Sequence, residues 1–197
     1  MEKWFAKVGH MAPRIVVLAS GSGTLLQALL DSDLRPFILA VGTDRGDAGA
    51  LGRAVNRGVP TFVVDPAAFA NRADWDEALQ EAVSAQEPDL IVSAGFMRIL
   101  CPEFVAAFAG RLINTHPALL PQFPGAHAVR DALAAGVRET GCTVHYIDEG
   151  VDTGPIIAQV TVEILPGDDE ATLHERIKVV ERSLLIAVIT ELIGVEK

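Results

Sequence analysis

The sequence has 197 residues, of which 50% are hydrophobic and 21% are charged, enough apolar surface for one ordinary core and short for two full-sized domains. Its formal net charge of -10 opposes sequence-independent binding to phosphate backbones, so nucleic acid is not expected as a partner. No apolar run reaches the roughly 18 to 20 residues that cross a bilayer, so no membrane partner is expected either.

The two cysteines, Cys101 and Cys142, lie far apart without a CxxC spacing, which predicts neither a disulfide framework nor a metal site. This usage is typical of a reducing compartment, and we expect a cytoplasmic protein. Residues 1–12 lack an apolar signal segment and are expected to be an N-terminal extension without chemistry. Residues 13–197 are expected to form one domain, and a homodimer is left open.

Apolar runs alternate with helical patterns along most of the chain. The first run, 14–20, ends in a glycine-containing turn and is followed by a helical pattern through Leu25, Leu29 and Leu30, the order strand, turn, helix. Further strands are predicted at 36–41, 61–64, 89–94, 112–115, 142–147 and 156–162, and helices at 48–56, 75–84, 127–135 and 172–193. This alternation predicts an α/β fold with a mostly parallel sheet and helices on both faces. The last two strands have no helix between them, which predicts an antiparallel edge.

Ligands of such sheets bind outside the carboxyl ends of the strands. Three polar segments follow predicted strands at such ends, and we expect them to be neighbours in space: 21–24, 95–100 and 114–125.

The first segment, Gly21-Ser22-Gly23-Thr24, opens a helix, so its backbone N–H groups and the helix dipole suit a single phosphate. A dinucleotide site is the alternative, because Asp44 lies about 20 residues further on, where a ribose-binding acid would sit. Leu26 occupies the place of the third glycine of that motif, which favours the single phosphate. A capped turn without a ligand is the third interpretation.

Asn114 and His116 lie near the end of a predicted strand. A strand projects alternate residues to the same side, so one amide and one imidazole face the same space. The following loop is stiffened by Pro117, Pro121 and Pro124, as suits the wall of a site. The pattern favours a functional pair over a core histidine.

An imidazole that stays protonated or shuttles protons needs a carboxylate nearby. The acidic turn, residues 148–155, offers Asp148 and Asp152, and spacing alone leaves both as candidates. His127 and His145 are further imidazoles in this part of the chain. Without CxxC or HxxxH spacing they do not predict a metal site.

Together these segments resemble the folate-dependent phosphoribosylglycinamide formyltransferases, from residue 14 to about residue 193. The motifs that carry the resemblance are VVLASGSGTLLQALL, SAGFMRILCPEF, LINTHPALLPQFPGAHA and TVHYIDEGVDTGPIIAQ. The resemblance implies a single-domain Rossmann-like formyltransferase fold within the α/β class. It also implies 10-formyltetrahydrofolate as co-substrate, no metal, and glycinamide ribonucleotide as the formyl acceptor in de novo purine synthesis.

The resemblance assigns site residues as well. Asn114, His116 and Asp152 are similar to the family's catalytic asparagine, histidine and aspartate. A second group looks like the family's contacts with the ribonucleotide and its phosphate: Gly21, Ser22, Gly23, Thr24, Leu25 and Glu181. A third group looks like its folate contacts: Arg72, Met97, Arg98, Ile99, Leu100, Asn114 and Asp148. Leu25 departs from the family pattern, which often has asparagine there, so only its N–H is expected to contact the phosphate.

The implied chemistry is attack of the ribonucleotide amine on the formyl carbon. Asn114 and a protonated His116 are expected to stabilise charge on the formyl oxygen, and Asp152 to hold the imidazole and move protons. Three other functions stay open: a formyltetrahydrofolate hydrolase, a methionyl-tRNA formyltransferase and a non-catalytic dinucleotide-binding sensor. The first two usually carry an additional domain, which disfavours them, and the sensor leaves Asn114 and His116 unexplained.

Overall fold

The computed structural model describes residues 12–194, so nearly all of the expected N-terminal extension, 1–12, lies outside the described residues. Within them the chain forms a seven-stranded sheet covered by helices on both faces. The strands are β1 (Ile15–Leu18), β2 (Ile38–Thr43), β3 (Thr61–Val63), β4 (Leu90–Ser93), β5 (Leu112–His116), β6 (Glu139–Tyr146) and β7 (Ile156–Glu163). The α-helices are α1 (Thr24–Leu30), α2 (Gly49–Asn56), α3 (Arg72–Ser84), α4 (Pro102–Ala107), α5 (Ala128–Ala134) and α6 (Glu170–Leu192).

The strand order across the sheet is β3-β2-β1-β4-β5-β6-β7. The pairs from β3 to β5 are parallel, whereas β6 pairs antiparallel with both β5 and β7. The predicted α/β fold with an antiparallel edge is confirmed. Strand order reverses between β1 and β4, which is the position where open sheets of this kind place their ligands.

Strand β1 is apolar along its whole length because both of its faces are covered. Ile15 and Val17 of β1 pack with α1 and α6, while Val16 and Leu18 point to the opposite face and pack with α3 and α4. The side chains alternate between two cores, as the period of a strand requires.

Three elements differ most from the sequence-based expectation. Helix α4 was not predicted, because its six residues are too short to show a helical period. Helix α3 begins at Arg72 rather than at Trp75, since the Asn71 side chain accepts a hydrogen bond from Asp74 N and caps it. Strand β6 begins at Glu139 rather than at Cys142.

Helix α6 ends the described chain with its apolar side against the sheet. It begins with a capping box, in which Asp169 and Thr172 satisfy each other's backbone N–H groups. Leu173, Ile177 and Leu185 are fully buried. Among residues 12–194, no helix combines the length and the apolar character needed to cross a membrane.

Candidate active site

A cavity of about 510 Å³ lies at the carboxyl ends of β1, β4 and β5, beside the reversal of strand order. Its wall combines residues of the three polar segments with the acidic turn and one face of α6. The three segments are therefore neighbours, as their places after the strands predicted. Of the residues assigned to the site by resemblance, all line this cavity except Arg72.

The turn after β1 is held tightly against α2. Gly23 has a φ of +71°, and a Cβ there would lie 2.7 Å from the Ala50 Cα, so only glycine fits. The Gly21 carbonyl accepts a hydrogen bond from Ala50 N at 3.2 Å, and the Ser22 carbonyl accepts one from Arg53 Nε at 2.7 Å. The turn thus uses its carbonyls within the protein, whereas the first N–H groups of α1 have no intrahelical acceptor.

Asn114 and His116 share one side of β5, and the antiparallel register places His145 of β6 opposite Asn114. His145 Nε2 lies 3.4 Å from Asn114 Nδ2 and 3.5 Å from Asp152 Oδ1. His145 Nδ1 lies 2.8 Å from the Tyr146 carbonyl, which can only accept, so Nδ1 carries a hydrogen. When the ring is neutral, Nε2 accepts from Asn114; when the ring is protonated, Nε2 donates to Asp152.

Asp152 connects the acidic turn with the loop that follows β5. Its φ of +56° lies in the left-handed region that residues other than glycine seldom adopt. Its Oδ2 accepts a hydrogen bond from Gly125 N at 2.8 Å and lies 3.2 Å from His116 Nδ1. The other ring nitrogen, His116 Nε2, lies 2.7 Å from the Phe123 carbonyl. Both of these partners are hydrogen-bond acceptors, so each ring nitrogen is placed where an N–H group could donate.

The pKa of Asp152 is lowered from its usual value. Its hydrogen bond with His145 is the largest cause, the Gly125 N–H and the charge of His116 act in the same direction, and burial opposes them. The carboxylate is therefore ionised at neutral pH and able to accept a proton.

The two aspartates of the acidic turn have different positions. Asp148 Oδ1 accepts hydrogen bonds from Gly150 N at 3.0 Å and from Thr153 Oγ1 at 2.7 Å, so this side chain shapes the turn. Spacing left the choice open, and the structure brings Asp152 rather than Asp148 to His116. His127 precedes α5 and does not line the cavity.

Residues 95–100, which the resemblance predicts to contact folate and which we therefore call the folate loop, form part of the cavity wall. Two of its apolar side chains are largely exposed, Met97 at 77% and Ile99 at 69%. Ser20 Oγ accepts a hydrogen bond from Met97 N at 2.8 Å. Arg72 does not line the cavity; it donates to the Ile99 carbonyl and pairs with Asp76 at 2.8 Å.

Helix α6 contributes Lys178 and His174 to the cavity wall in addition to Glu181. Sequence reasoning found only Glu181, although spacings of four and three residues put all three on one helix face. Burial raises the pKa of Glu181, and its contact with Thr115 partly offsets this shift. Burial and the charge of Lys178 lower the pKa of His174.

Two other features bear on the alternatives. Asp44 is 1% exposed, bonds to Arg98 and does not line the cavity, so its carboxylate is not placed to bind a ribose there. Within residues 12–194, no three His, Cys, Asp or Glu side chains are grouped so that they could hold a metal ion.

A twisted α/β sheet whose switch point gathers an amide, an imidazole–carboxylate pair and a glycine-rich turn is the framework of a small-molecule enzyme of the group-transfer class. The sequence matches the formyl transferase family over residues 13–189, and the chain belongs to that family.

The chain is similar to named members of this family. It is 56% identical over 190 residues to a phosphoribosylglycinamide formyltransferase of Mycobacterium tuberculosis, covering 94% of this chain and 88% of the relative. It is 40% identical over 180 residues to the enzyme of the same name from Escherichia coli, and the match covers 89% of this chain and 85% of the relative. Among solved structures, glycinamide ribonucleotide transformylase 1 of Geobacillus kaustophilus superposes on this chain with a TM-score of 0.88 at 41% identity. The match covers 93% of this chain and 100% of that structure.

Proposed function

We infer that this chain transfers the formyl group of 10-formyltetrahydrofolate to the amine of 5'-phosphoribosylglycinamide. The products are 5'-phosphoribosyl-N-formylglycinamide and tetrahydrofolate, in de novo purine synthesis. The observation that carries this inference is the pairing of His116 with Asp152 beside Asn114, in a cavity that is also lined by the glycine-rich turn. The names of the relatives support the same reaction.

We assign a different part of the cavity wall to each of the two substrates. For the phosphate we propose the N–H groups of the turn 21–25, with Lys178 as a nearby cation and Glu181 as a contact for the rest of the ribonucleotide. For the flat pterin we propose the folate loop, because Met97 and Ile99 expose apolar surface there, against which a ring face can pack. We also assign Asp148 and the backbone of the acidic turn to the folate, because they line the same cavity.

Charge develops on the formyl oxygen when the amine attacks the formyl carbon. We propose that the Asn114 amide donates one N–H to this oxygen and that the His116 imidazolium supplies the positive charge beside it. Removal of one such donor typically raises a barrier by roughly 3 to 4 kcal/mol. The new bond joins the amine nitrogen to the formyl carbon, and no enzyme atom bonds covalently to the substrate.

Proton movement follows from the ionised state of Asp152. The attacking amine becomes positively charged and must lose a proton, and the Asp152 carboxylate is the base that lies beside His116. The proton then passes to the folate nitrogen, and the bond between that nitrogen and the formyl carbon breaks. Alignment of both substrates in one cavity lowers the activation barrier by roughly several kcal/mol more.

The direct test mixes the protein with 10-formyltetrahydrofolate and follows tetrahydrofolate release with and without 5'-phosphoribosylglycinamide. We expect release that depends on the amine and equals the formylated product. Release without the amine would establish a hydrolase instead, and tight NAD binding without folate binding would establish the sensor. We propose that the partners of this chain are these two substrates and that it is located in the cytoplasm.

A further inference from the structure

Asp44 is a buried carboxylate that stands outside the cavity wall but contacts the folate loop. It follows β2 and is 1% exposed. Its Oδ2 accepts a hydrogen bond from Arg98 Nε at 2.6 Å, whereas no donor from the described part of the chain reaches its Oδ1. A buried carboxylate is costly unless a charge compensates it. Arg98 supplies the charge that compensates the Asp44 carboxylate.

The folate loop has few other anchors in its middle. Ser20 holds its first half, by hydrogen bonds to the Gly95 carbonyl at 3.1 Å and from Met97 N at 2.8 Å. Arg72 holds the carbonyl of Ile99. Since the side chains of Met97 and Ile99 point largely into solvent, core packing does not fix the residue between them. The ion pair with Asp44 supplies a side-chain anchor at Arg98.

Neighbouring charges do not replace this pair. A cleft beside the cavity is lined by Asp44 and Arg98 together with Arg45, Asp47 and Asp65. Arg45 is engaged by Asp47, with nitrogen–oxygen distances of 3.0 and 2.8 Å. Asp65 accepts a hydrogen bond from Ala67 N at 2.9 Å and adds negative charge to the cleft. Arg98 therefore remains the cation in direct contact with Asp44.

We propose that Asp44 is a positioning residue for the folate loop, which it fixes through Arg98. The Arg98 side chain is 42% exposed and lines both the cleft and the cavity. The ion pair therefore connects the end of β2 with the wall of the cavity. Asp44 then governs affinity for the formylfolate and not the turnover of the bound complex. The identity of that ligand rests on the proposed function, whereas the anchoring of the loop does not.

The first experiment compares Asp44→Asn with Asp47→Asn, an exposed carboxylate of the same cleft that pairs with Arg45. We expect Asp44→Asn to raise the KM for 10-formyltetrahydrofolate roughly tenfold, the size of one lost charged hydrogen bond, and to leave kcat within about twofold. Hydrogen exchange at the amides of residues 97–100 should become faster in the free protein. Asp47→Asn should change neither quantity. Unchanged KM and unchanged exchange in Asp44→Asn would overturn the proposal.

The second experiment is a double-mutant cycle. Arg98→Met leaves the buried carboxylate without its counterion and should lower the Tm, and Asp44→Asn added to it should recover most of that loss. The KM of the double variant should equal that of Arg98→Met, because Asp44 acts through Arg98. Effects on KM that multiply, or a Tm that is not recovered, would refute the anchor. If the wild type neither binds nor uses formylfolate, the proposed function fails, and the exchange and Tm results still decide on the anchor.

Discussion

His145 Nε2 lies 3.4 Å from the amide nitrogen of Asn114, its partner across the antiparallel pair of β5 and β6. The same nitrogen lies 3.5 Å from Asp152 Oδ1. One buried imidazole thus connects the proposed oxyanion donor with the proposed base, and its protonation state determines which of the two it bonds to.

We expect His145→Leu to lower kcat at least tenfold with little change in either KM, because Asn114 loses its orienting partner. His145→Gln should recover part of this loss, since the Gln amide reaches the same position and can accept or donate. Steady-state kinetics with both substrates varied provide the measurement. Equal kcat in the Leu variant and the wild type would remove His145 from the mechanism.

For Asp152→Asn we expect kcat to fall by about 10² to 10⁴, the usual contribution of a general acid or base. Asparagine tolerates the left-handed backbone conformation at this position, so the fold should persist. Asp148→Asn is the informative comparison within the same turn, and it should act mainly on the KM for the formylfolate. A normal rate with a normal pH profile for Asp152→Asn contradicts the assigned role.

The lowered pKa of Asp152 also leads to a prediction about the stability of the fold. Because its pKa is lowered in the folded state, its contribution is present above the unfolded pKa of about 3.9 and disappears as the pH falls through the lower folded value. Wild type should therefore have a higher Tm than Asp152→Asn at pH 5 to 7, and the difference should shrink below about pH 4. Thermal melts across this range, with equal ionic strength, would show whether it does.

His116→Ala should reduce kcat by about 10² to 10³ and affect the KM values much less, because the imidazolium is proposed to act on charge that exists only in the transition state. Binding of a stable formylfolate analogue, measured by calorimetry, separates the two effects. Unchanged turnover would eliminate the oxyanion role, and a loss confined to binding would make His116 a ligand contact only.

Glu181 should show the opposite dependence on pH from Asp152. Its pKa is raised by burial, so its ionisation destabilises the fold as the pH rises through and above its usual value. Glu181→Gln should raise the Tm at pH 7.5 but not at pH 4, while raising the KM for the ribonucleotide. Glu175→Gln is the control on the same helix, because the pKa of that exposed carboxylate is lowered by Lys178. A Tm that is unaffected by Glu181→Gln at pH 7.5 contradicts this account.

Gly23→Ala tests the turn after β1. The new Cβ would meet Ala50 at 2.7 Å in a conformation with φ +71°, so we expect a loss of about 1 to 3 kcal/mol and a Tm lower by several degrees. At Gly21 a Cβ would meet nothing within 4 Å, so Gly21→Ala should keep its Tm. Similar melts for both variants would show that the turn is less tightly packed.

The sequence by itself determined the sheet, the glycine turn and the Asn114–His116 pair. These features depend on local periodicity: apolar runs become buried strands, and alternate strand residues share a side. The sequence also determined the family, because the motifs around these residues extend over nearly the whole domain. A short helix such as α4 has too few residues for the same reasoning to find it.

Only the tertiary structure decided which distant side chains meet. Asp152 reaches His116 although both Asp148 and Asp152 were available in the acidic turn, because the left-handed backbone at Asp152 and the hydrogen bond from Gly125 aim its carboxylate there. His145 joins the site through the register of two strands, which neither strand encodes alone. The pairing of Asp44 with Arg98 arises from the order of the strands, a property of the whole sheet, so spacing along the chain could suggest only a ribose contact for Asp44.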